Sequence, residues 1–356
     1  MADRAPQIRT GIQEVDPRHA LDVGRLEGWV RSRLDEFDGS LRVQQFVGGQ
    51  SNPTYLLSDG RHEWVLRRKP PGRLVSSAHA TDREFRILSA LADSGVPVPR
   101  VRGYCRDEDV IGTEFYLMDR VEGRILVDQT LPGFTPEERR ALYASQIDTL
   151  AQLHSVDPGS VGLADYGRPG SYFARQIHVW GKQYREAQGE IDRCEAMERL
   201  IDWLPEHLPE QDRTTIVHGD YGLNNLVVHP TEPRIAAVLD WELSTLGDPI
   251  ADVSYHLAGR LMPGGSFAGL GDADLPALGI PTRDEYVERY CEAVGRDEIG
   301  ALDYAIAFQL FRSAGIMFGI AARAQRGTAA SAQAKELGAI AVPLAEQGWA
   351  LARNLG

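Results

Sequence analysis

The sequence predicts an α+β protein in two lobes, a small antiparallel sheet with one inserted helix followed by a larger, mainly helical lobe. Three observations carry this. The 356 residues exceed the roughly 250–300 that one hydrophobic core usually fills. Strand-like runs broken by turn residues crowd between Leu41 and Gly123. Beyond Gly123 apolar residues recur mostly at helical spacing. The division is expected within EFYLMDRVEG, giving an N-terminal lobe over residues 1–119 and a C-terminal lobe over 120–356.

Residues 1 to about 15 are polar and aperiodic. Asp16 and Pro17 then read as N-cap and first residue of an amphipathic helix carrying Leu21, Leu26, Trp29, Val30 and Leu34. VQQFVGGQSNPTYLLS and HEWVLRRKP read as strands around turns, and TDREFRILSALADSG as a helix capped by Thr81 and closed by Gly95. PVPRVRGYCRD and EFYLMDRVEG supply two more strands. Thr135 and Pro136 open a helix through LAQLHSVD, where His154 reads as a structural histidine, and SYFARQIHVWGKQYREA is another helix. Within the helical part, TTIVHGDYGLNNLVVHPTEPRIAAVLDWE is a β-rich island, and the Ala-rich tail reads as helical with a break at Pro343.

Charge narrows the partners. With 38 Lys and Arg against 51 Asp and Glu, the net −13 repels a phosphate backbone, so nucleic acid is not expected. Cys105, Cys194 and Cys291 are too dispersed for a metal pair or a disulfide framework, and no uninterrupted apolar run reaches about 18 residues. A cytoplasmic protein without a membrane partner is the expectation, acting on a small molecule.

The chemistry concentrates in the island. In HGDYGLNN, Asp220 precedes Asn225 by five residues, and Asp240 follows in VLDWE. Phosphoryl transfer needs one carboxylate to orient a hydroxyl, and an amide with a second carboxylate to hold Mg²⁺ across the phosphates. The spacing equals that of the protein-kinase loop HRDxxxxN, with Gly219 in place of the Arg and Asp240 where the DFG carboxylate stands.

HGDxxxxN followed by a hairpin and DWE resembles the aminoglycoside phosphotransferase and choline kinase-like superfamily, over roughly residues 41–290. LRRKPPG, SSAHATDREFRIL and DWELSTLGDPIADVSYHLA look in particular like the kinase-like domain fused to certain acyl-CoA dehydrogenases. The resemblance implies a bilobal protein kinase-like fold, ATP and Mg²⁺ as cofactors, Asp220 as the catalytic residue, and Asn225 and Asp240 as metal ligands. It makes Phe46–Leu57 the hairpin over the nucleotide, with Gly48 and Gly49 offering backbone N–H groups and Ser51 or Asn52 a side-chain donor. Arg67 aligns with the phosphate-binding lysine, and Lys69 offers a second cation on the same strand face. Arg67 is expected to pair with Glu84, which should lie beside, not within, the apolar stripe of Phe85, Leu88 and Leu91. Main-chain groups from Met118 to Arg120 would meet adenine. His218 is expected to brace the loop, and Asp248 with Pro249 to cap a helix.

Only seven residues separate Asp240 from Asp248, too few for the segment that presents a peptide, so no protein substrate is expected. The acyl-CoA dehydrogenase-linked branch implies a hydroxyacyl-CoA or a related anionic alcohol as acceptor. Arg175, His178, Lys182 and Arg185 fall on one basic helix face, and Arg312 lies in an unusually apolar helix, which together would suit such an acceptor. The alternatives are an aminoglycoside or choline-like amino alcohol, and a non-catalytic nucleotide-binding module. The intact Asp220, Asn225 and Asp240 set argues against the last.

Overall fold

The computed structural model describes residues 11–47, 52–69, 81–168, 172–211, 213–262, 269–271, 273–326 and 334–355, for 334–336 the backbone only. Two compact units emerge. The first comprises Met1–Val127, Val161–Leu163 and Leu223–Leu243; the second comprises Asp128–Ser160, Ala164–Gly222 and Ser244–Gly356. Part of the island that reads as belonging to the helical lobe is therefore built into the unit that holds the sheet.

In the first unit, strands β1 (Ile12–Gln13), β2 (Arg42–Phe46), β3 (Thr54–Ser58), β4 (Glu63–Arg68), β5 (Val101–Cys105) and β6 (Phe115–Asp119) form an antiparallel sheet ordered β1-β2-β3-β4-β6-β5. The β3–β4 turn is held by Asp59, whose carboxylate accepts from the N–H groups of Arg61 and His62 at 2.8 and 2.7 Å. Helix α1 (Val23–Arg31) packs its Leu26 and Val30 into a core with Tyr55, Trp64, Leu66 and Phe115. Each fully buried large side chain there contributes about 1.5–3 kcal/mol. Helix α2 (Thr81–Leu91) buries Ile87, Leu88 and Leu91, and a short helix α3 spans Glu108–Ile111.

Two local expectations need correction. The helix expected from Pro17 is split, because two acidic caps compete. Asp16 caps a short 3₁₀ turn at Pro17–His19, and Asp22, accepting from Arg25 N–H at 3.0 Å, starts α1 afresh. The stretch read as aperiodic contributes the edge strand β1, with Ile12 opposite Phe46.

The hairpin of the first unit is β8 (Leu226–Val228) with β9 (Ile235–Val238), numbered after β7 (Thr215–Val217) of the second unit. Arg124 exchanges both backbone hydrogen bonds with Val228 at 2.8 Å. Gly123 is required there, since a Cβ would lie 2.4 Å from both Val227 Cγ1 and the Val228 carbonyl oxygen.

In the second unit, β7 pairs antiparallel with β10 (Thr245–Gly247). The rest is helical: α4 (Pro136–Ser155), α5 (Tyr172–Ala187), α6 (Glu195–Glu206), α7 (Ile250–Ala258), α8 (Leu275–Leu278), α9 (Arg283–Val294), α10 (Leu302–Gln325), α11 (Ala334–Ala339) and α12 (Ala341–Ala352). Thr135 and Glu138 close a reciprocal capping box on α4. Helix α10 is long and apolar enough to cross a membrane by length and composition, but most of it is buried among α5, α7 and α12. The tail breaks at Ile340, not Pro343. Pro343 sits in the first turn of α12, where a backbone N–H has no helical partner to lose.

Candidate active site

The first unit holds the cluster around Arg67. Register in the sheet places Arg67 opposite Tyr116 on one neighbour and Thr54 on the other. Its guanidinium, 11% exposed, meets three carboxylates: Nε lies 3.3 Å from Glu84 Oε2, and Nη2 lies 2.7 Å from Asp240 Oδ1 and 3.5 Å from Glu242 Oε2. Lys69, just past β4, instead pairs with Glu114 at 2.5 Å, and the Tyr104 hydroxyl donates to the same carboxylate. The cation facing Glu84 is therefore Arg67.

Glu84 is not beside the apolar stripe, as expected, but 1% exposed. The turn Trp241–Leu243 packs on α2 and helps to enclose it. Asn52 Nδ2 donates to Glu84 Oε1 and the Tyr116 hydroxyl to Oε2, both at 3.0 Å. Burial pushes the Glu84 carboxyl up to about 7 against the pull of Arg67, and the charges of Asp240 and Glu242 push the same way. Although burial opposes its charge, Arg67 is held well above the usual guanidinium range by Glu84 and Asp240. Asn52 thus braces Glu84. Gly48, Gly49 and Ser51 lie outside the described residues.

A cavity of about 220 Å³ opens beside this network, with Val65, Met118, Val227 and Val238 as apolar walls and Arg67, Asn225 and Asp240 at its polar end. The segment expected to meet adenine also lines it. There the Asp119 N–H donates to the Arg100 carbonyl at 2.8 Å and the Arg120 N–H to the Glu63 carbonyl at 3.4 Å, so both are engaged within the unit. Asn225 ends the 3₁₀ turn Leu223–Asn225, and its carbonyl accepts from Leu239 N–H at 2.8 Å. That bond ties the amide to the residue before Asp240, whose φ of +64° is unusual for a non-glycine and aims the carboxylate from a strained backbone. One carboxylate and one amide on the same cavity are hard oxygen donors of the kind Mg²⁺ takes when phosphates complete its shell.

The second unit holds Asp220. The chain leaves β7 through His218 and Gly219, whose N–H groups donate to Asp252 at 2.7 and 2.8 Å. His154 places Nε2 3.3 Å from Asp252 and Nδ1 2.7 Å from the Tyr290 hydroxyl. Burial alone would raise the Asp252 carboxyl, but these bonds and the neighbouring imidazoles hold it below the usual range. His218 Nδ1 accepts from Asp220 N–H at 3.2 Å, so this ring braces the loop. The Asp220 carboxylate is hydrogen-bonded by the Tyr255 hydroxyl of α7.

Beyond Tyr255 lies Arg312, 6% exposed. Its guanidinium sits 5.7 Å from the Tyr255 ring centroid and 5.5 Å from that of Trp180, and it donates to Gln309 Oε1 at 3.4 Å. Among the described residues it has no carboxylate partner. The basic face of α5 is less concerted: Arg175 donates to the Leu246 carbonyl at 3.4 Å, while Lys182 is exposed and lies 3.7 Å from Glu186. Asp248 accepts from Ile250 N–H at 3.1 Å as α7 begins, with Pro249 in the cap position.

Tyr116, Asp252 and Tyr255 were not singled out by sequence. Tyr116 looks like any strand aromatic. Asp252 and Tyr255, three apart on α7, carry the spacing of a shared helix face, which was a usable signal.

The chain matches the phosphotransferase enzyme family over residues 42–301. It is 46% identical over 341 residues to acyl-CoA dehydrogenase family member 10 of Mus musculus, covering 95% of this chain and 32% of that protein. It is 41% identical to acyl-CoA dehydrogenase family member 11 of Gallus gallus, covering 98% and 46%. The chain thus spans less than half the length of these relatives. A solved Ralstonia eutropha protein, proposed to be an aminoglycoside phosphotransferase, is 46% identical with a TM-score of 0.86, covering 94% of this chain and 99% of that one. Choline kinase from Cryptosporidium parvum, 13% identical, shares the fold with a TM-score of 0.63 over 94% and 97%. With its sequence match, its kinase-like fold and its Asp220, Asn225 and Asp240 motif, the chain belongs to the phosphotransferase enzyme family.

Proposed function

We propose that the chain transfers the γ-phosphate of ATP, with Mg²⁺, to the hydroxyl of a hydroxyacyl-CoA or a related anionic alcohol. The observation that carries this reading is Arg312, a buried guanidinium without a carboxylate partner among the described residues, against the tyrosine that bonds Asp220. A cation so placed repels a polycationic aminoglycoside and attracts an electron-rich acceptor. Two relatives named for acyl-CoA dehydrogenation support an acyl-CoA as the acceptor class.

In this reading Asp220 accepts a hydrogen bond from the acceptor hydroxyl. The hydroxyl oxygen forms the new bond to the γ-phosphorus, the bond to the β–γ bridging oxygen breaks, ADP leaves and the hydroxyl proton passes to Asp220. Asp240 and Asn225 would hold Mg²⁺, which when bound neutralises charge on the phosphates. Arg67 supplies the cation for the nucleotide, held in place by Glu84.

The test is ADP formation with 3- and 4-hydroxyacyl-CoA and with kanamycin, in wild type and Arg312→Gln. Acyl-CoA-dependent turnover with a raised acceptor KM in the variant is expected. Robust kanamycin phosphorylation without response to any acyl-CoA would overturn the acceptor class.

A further inference from the structure

A second arginine near Asp220 lies outside every motif. Arg260 sits in the 3₁₀ turn Gly259–Leu261 that follows α7. Its Nε and Nη1 are buried with no hydrogen-bond partner, and no carboxylate lies within ion-pair distance among the described residues. Burial pulls its pKa below the ordinary guanidinium value, against the opposing pull of Tyr143, Tyr286 and the more distant Glu285.

Arg260 lines a small cavity shared with Gly222, Tyr255, His256 and Tyr286. Gly222 belongs to the catalytic loop, donating its N–H to the Asp220 carbonyl at 2.8 Å, and Tyr255 bonds the Asp220 carboxylate. His256 is neutral near pH 7, since burial lowers it to about 4, and it is occupied by Gln146 at 2.9 Å and the Tyr286 hydroxyl at 2.7 Å. No Asp or Glu lines the cavity, so Arg260 is its one charge among the described residues. Its free volume of about 20 Å³ has room for one or two oxygen atoms, not for a whole phosphate group.

We propose that Arg260 and this cavity receive an acyl oxygen of the acceptor, the carboxylate of a hydroxy acid or the carbonyl of its thioester, a few bonds from the hydroxyl that Asp220 orients. The proposal rests on the reading of Asp220 as the acceptor-side base, and it assigns recognition of the acyl head to a residue other than Arg312. A guanidinium with two nitrogens lacking a hydrogen-bond partner is the donor such an oxygen requires, and filling the site gives a desolvated cation a partner.

Binding without turnover separates this inference from the proposed function. Calorimetry would follow butyrate and butyryl-CoA, which lack the hydroxyl, on wild type, Arg260→Met and Arg260→Lys. Wild type should bind one of the two, and which one names the source of the oxygen. Arg260→Met should weaken that binding by about ten- to a hundredfold, as loss of one or two charge-assisted hydrogen bonds implies. Its ATP affinity should be unchanged and its thermal midpoint equal or higher, because a desolvated cation without an ion-pair partner among the described residues has been removed. Should Arg260→Met not fold, Arg260→Lys, which retains the charge but loses the fork, serves in its place with a smaller loss expected. Binding of neither compound by wild type, or equal binding by wild type and variant, overturns the proposal. So does a lowered midpoint with unaltered binding, which marks Arg260 as a structural cation.

Discussion

Arg67 Nη2 lies 2.7 Å from Asp240 Oδ1 across 173 residues of sequence. The strand cation thereby rests on the carboxylate proposed to bind metal, while its Nε faces Glu84. A planar fork can span both carboxylates; an ammonium, a single point of charge, cannot. Arg67→Ala is expected to raise the ATP KM by about tenfold or more, in line with losing a charge-assisted contact. Arg67→Lys should recover only part of that. Lys69→Ala, which frees Glu114 instead, should change the ATP KM by no more than about twofold. Steady-state kinetics at saturating acceptor checks the order, and a larger rise for Lys69→Ala reverses the assignment.

Asp220 and Asp240 divide in a way that binding and turnover can separate. Asp220→Ala should retain nucleotide affinity and lose turnover by about 10²–10⁴, the span of a general base. Asp240→Ala should lose Mg²⁺-dependent nucleotide binding, read by calorimetry with and without the metal. Undiminished kcat in Asp220→Ala would remove it from the mechanism.

The motifs legible in the sequence are those whose spacing is fixed by one chain segment. Asp220 to Asn225 spans a single loop, and the alternation of β4 presents Arg67. Pairing across the chain was harder to read. The burial of Glu84 follows from packing of the turn at Trp241 on α2, which helix periodicity alone cannot show. Tyr255 and Arg260 have neighbours chosen by tertiary packing, and Asp252 lies just past the Asp248 and Pro249 pair that reads as a helix cap. The strands β2 to β6 were legible because turn residues bracket each one. The edge strand β1 was not, since two residues carry no period.

Glu84 should leave a signature in stability against pH. Its folded carboxyl titrates at about 7, against 4.5 for the ordinary group. Between those values the folded chain keeps a proton that the unfolded chain releases, so stability falls as pH rises from about 4.5 to about 7. The contribution is of order 1–3 kcal/mol. Glu84→Gln, which keeps a polar group between Asn52 and Tyr116, should flatten this slope. Urea denaturation at several pH values in both proteins measures it, and equal slopes would show that Glu84 is ionised throughout.

Asp252 is the last residue for which geometry dictates an outcome. Its two oxygens accept the N–H groups of His218 and Gly219, and His154 approaches Oδ2 as well. Asparagine offers one acceptor oxygen and one NH₂, so Asp252→Asn must turn a donor toward a backbone N–H and leave it buried and unpaired. Such a loss costs about 2–4 kcal/mol. Because the wild-type carboxyl is held below its usual range, its stabilisation is complete at neutral pH and lost as pH falls through that lowered value. The variant should therefore lose stability most at neutral pH and show a flatter acid limb. The loop from His218 to Asp220 would also be released, so kcat should fall by about ten- to a hundredfold. The ATP KM should stay within about twofold, since the cavity proposed to take the nucleotide draws its walls from the first unit. Thermal unfolding across pH, beside kcat and ATP KM, tests this directly: a variant with wild-type stability and turnover would show that the two loop N–H groups need no carboxylate.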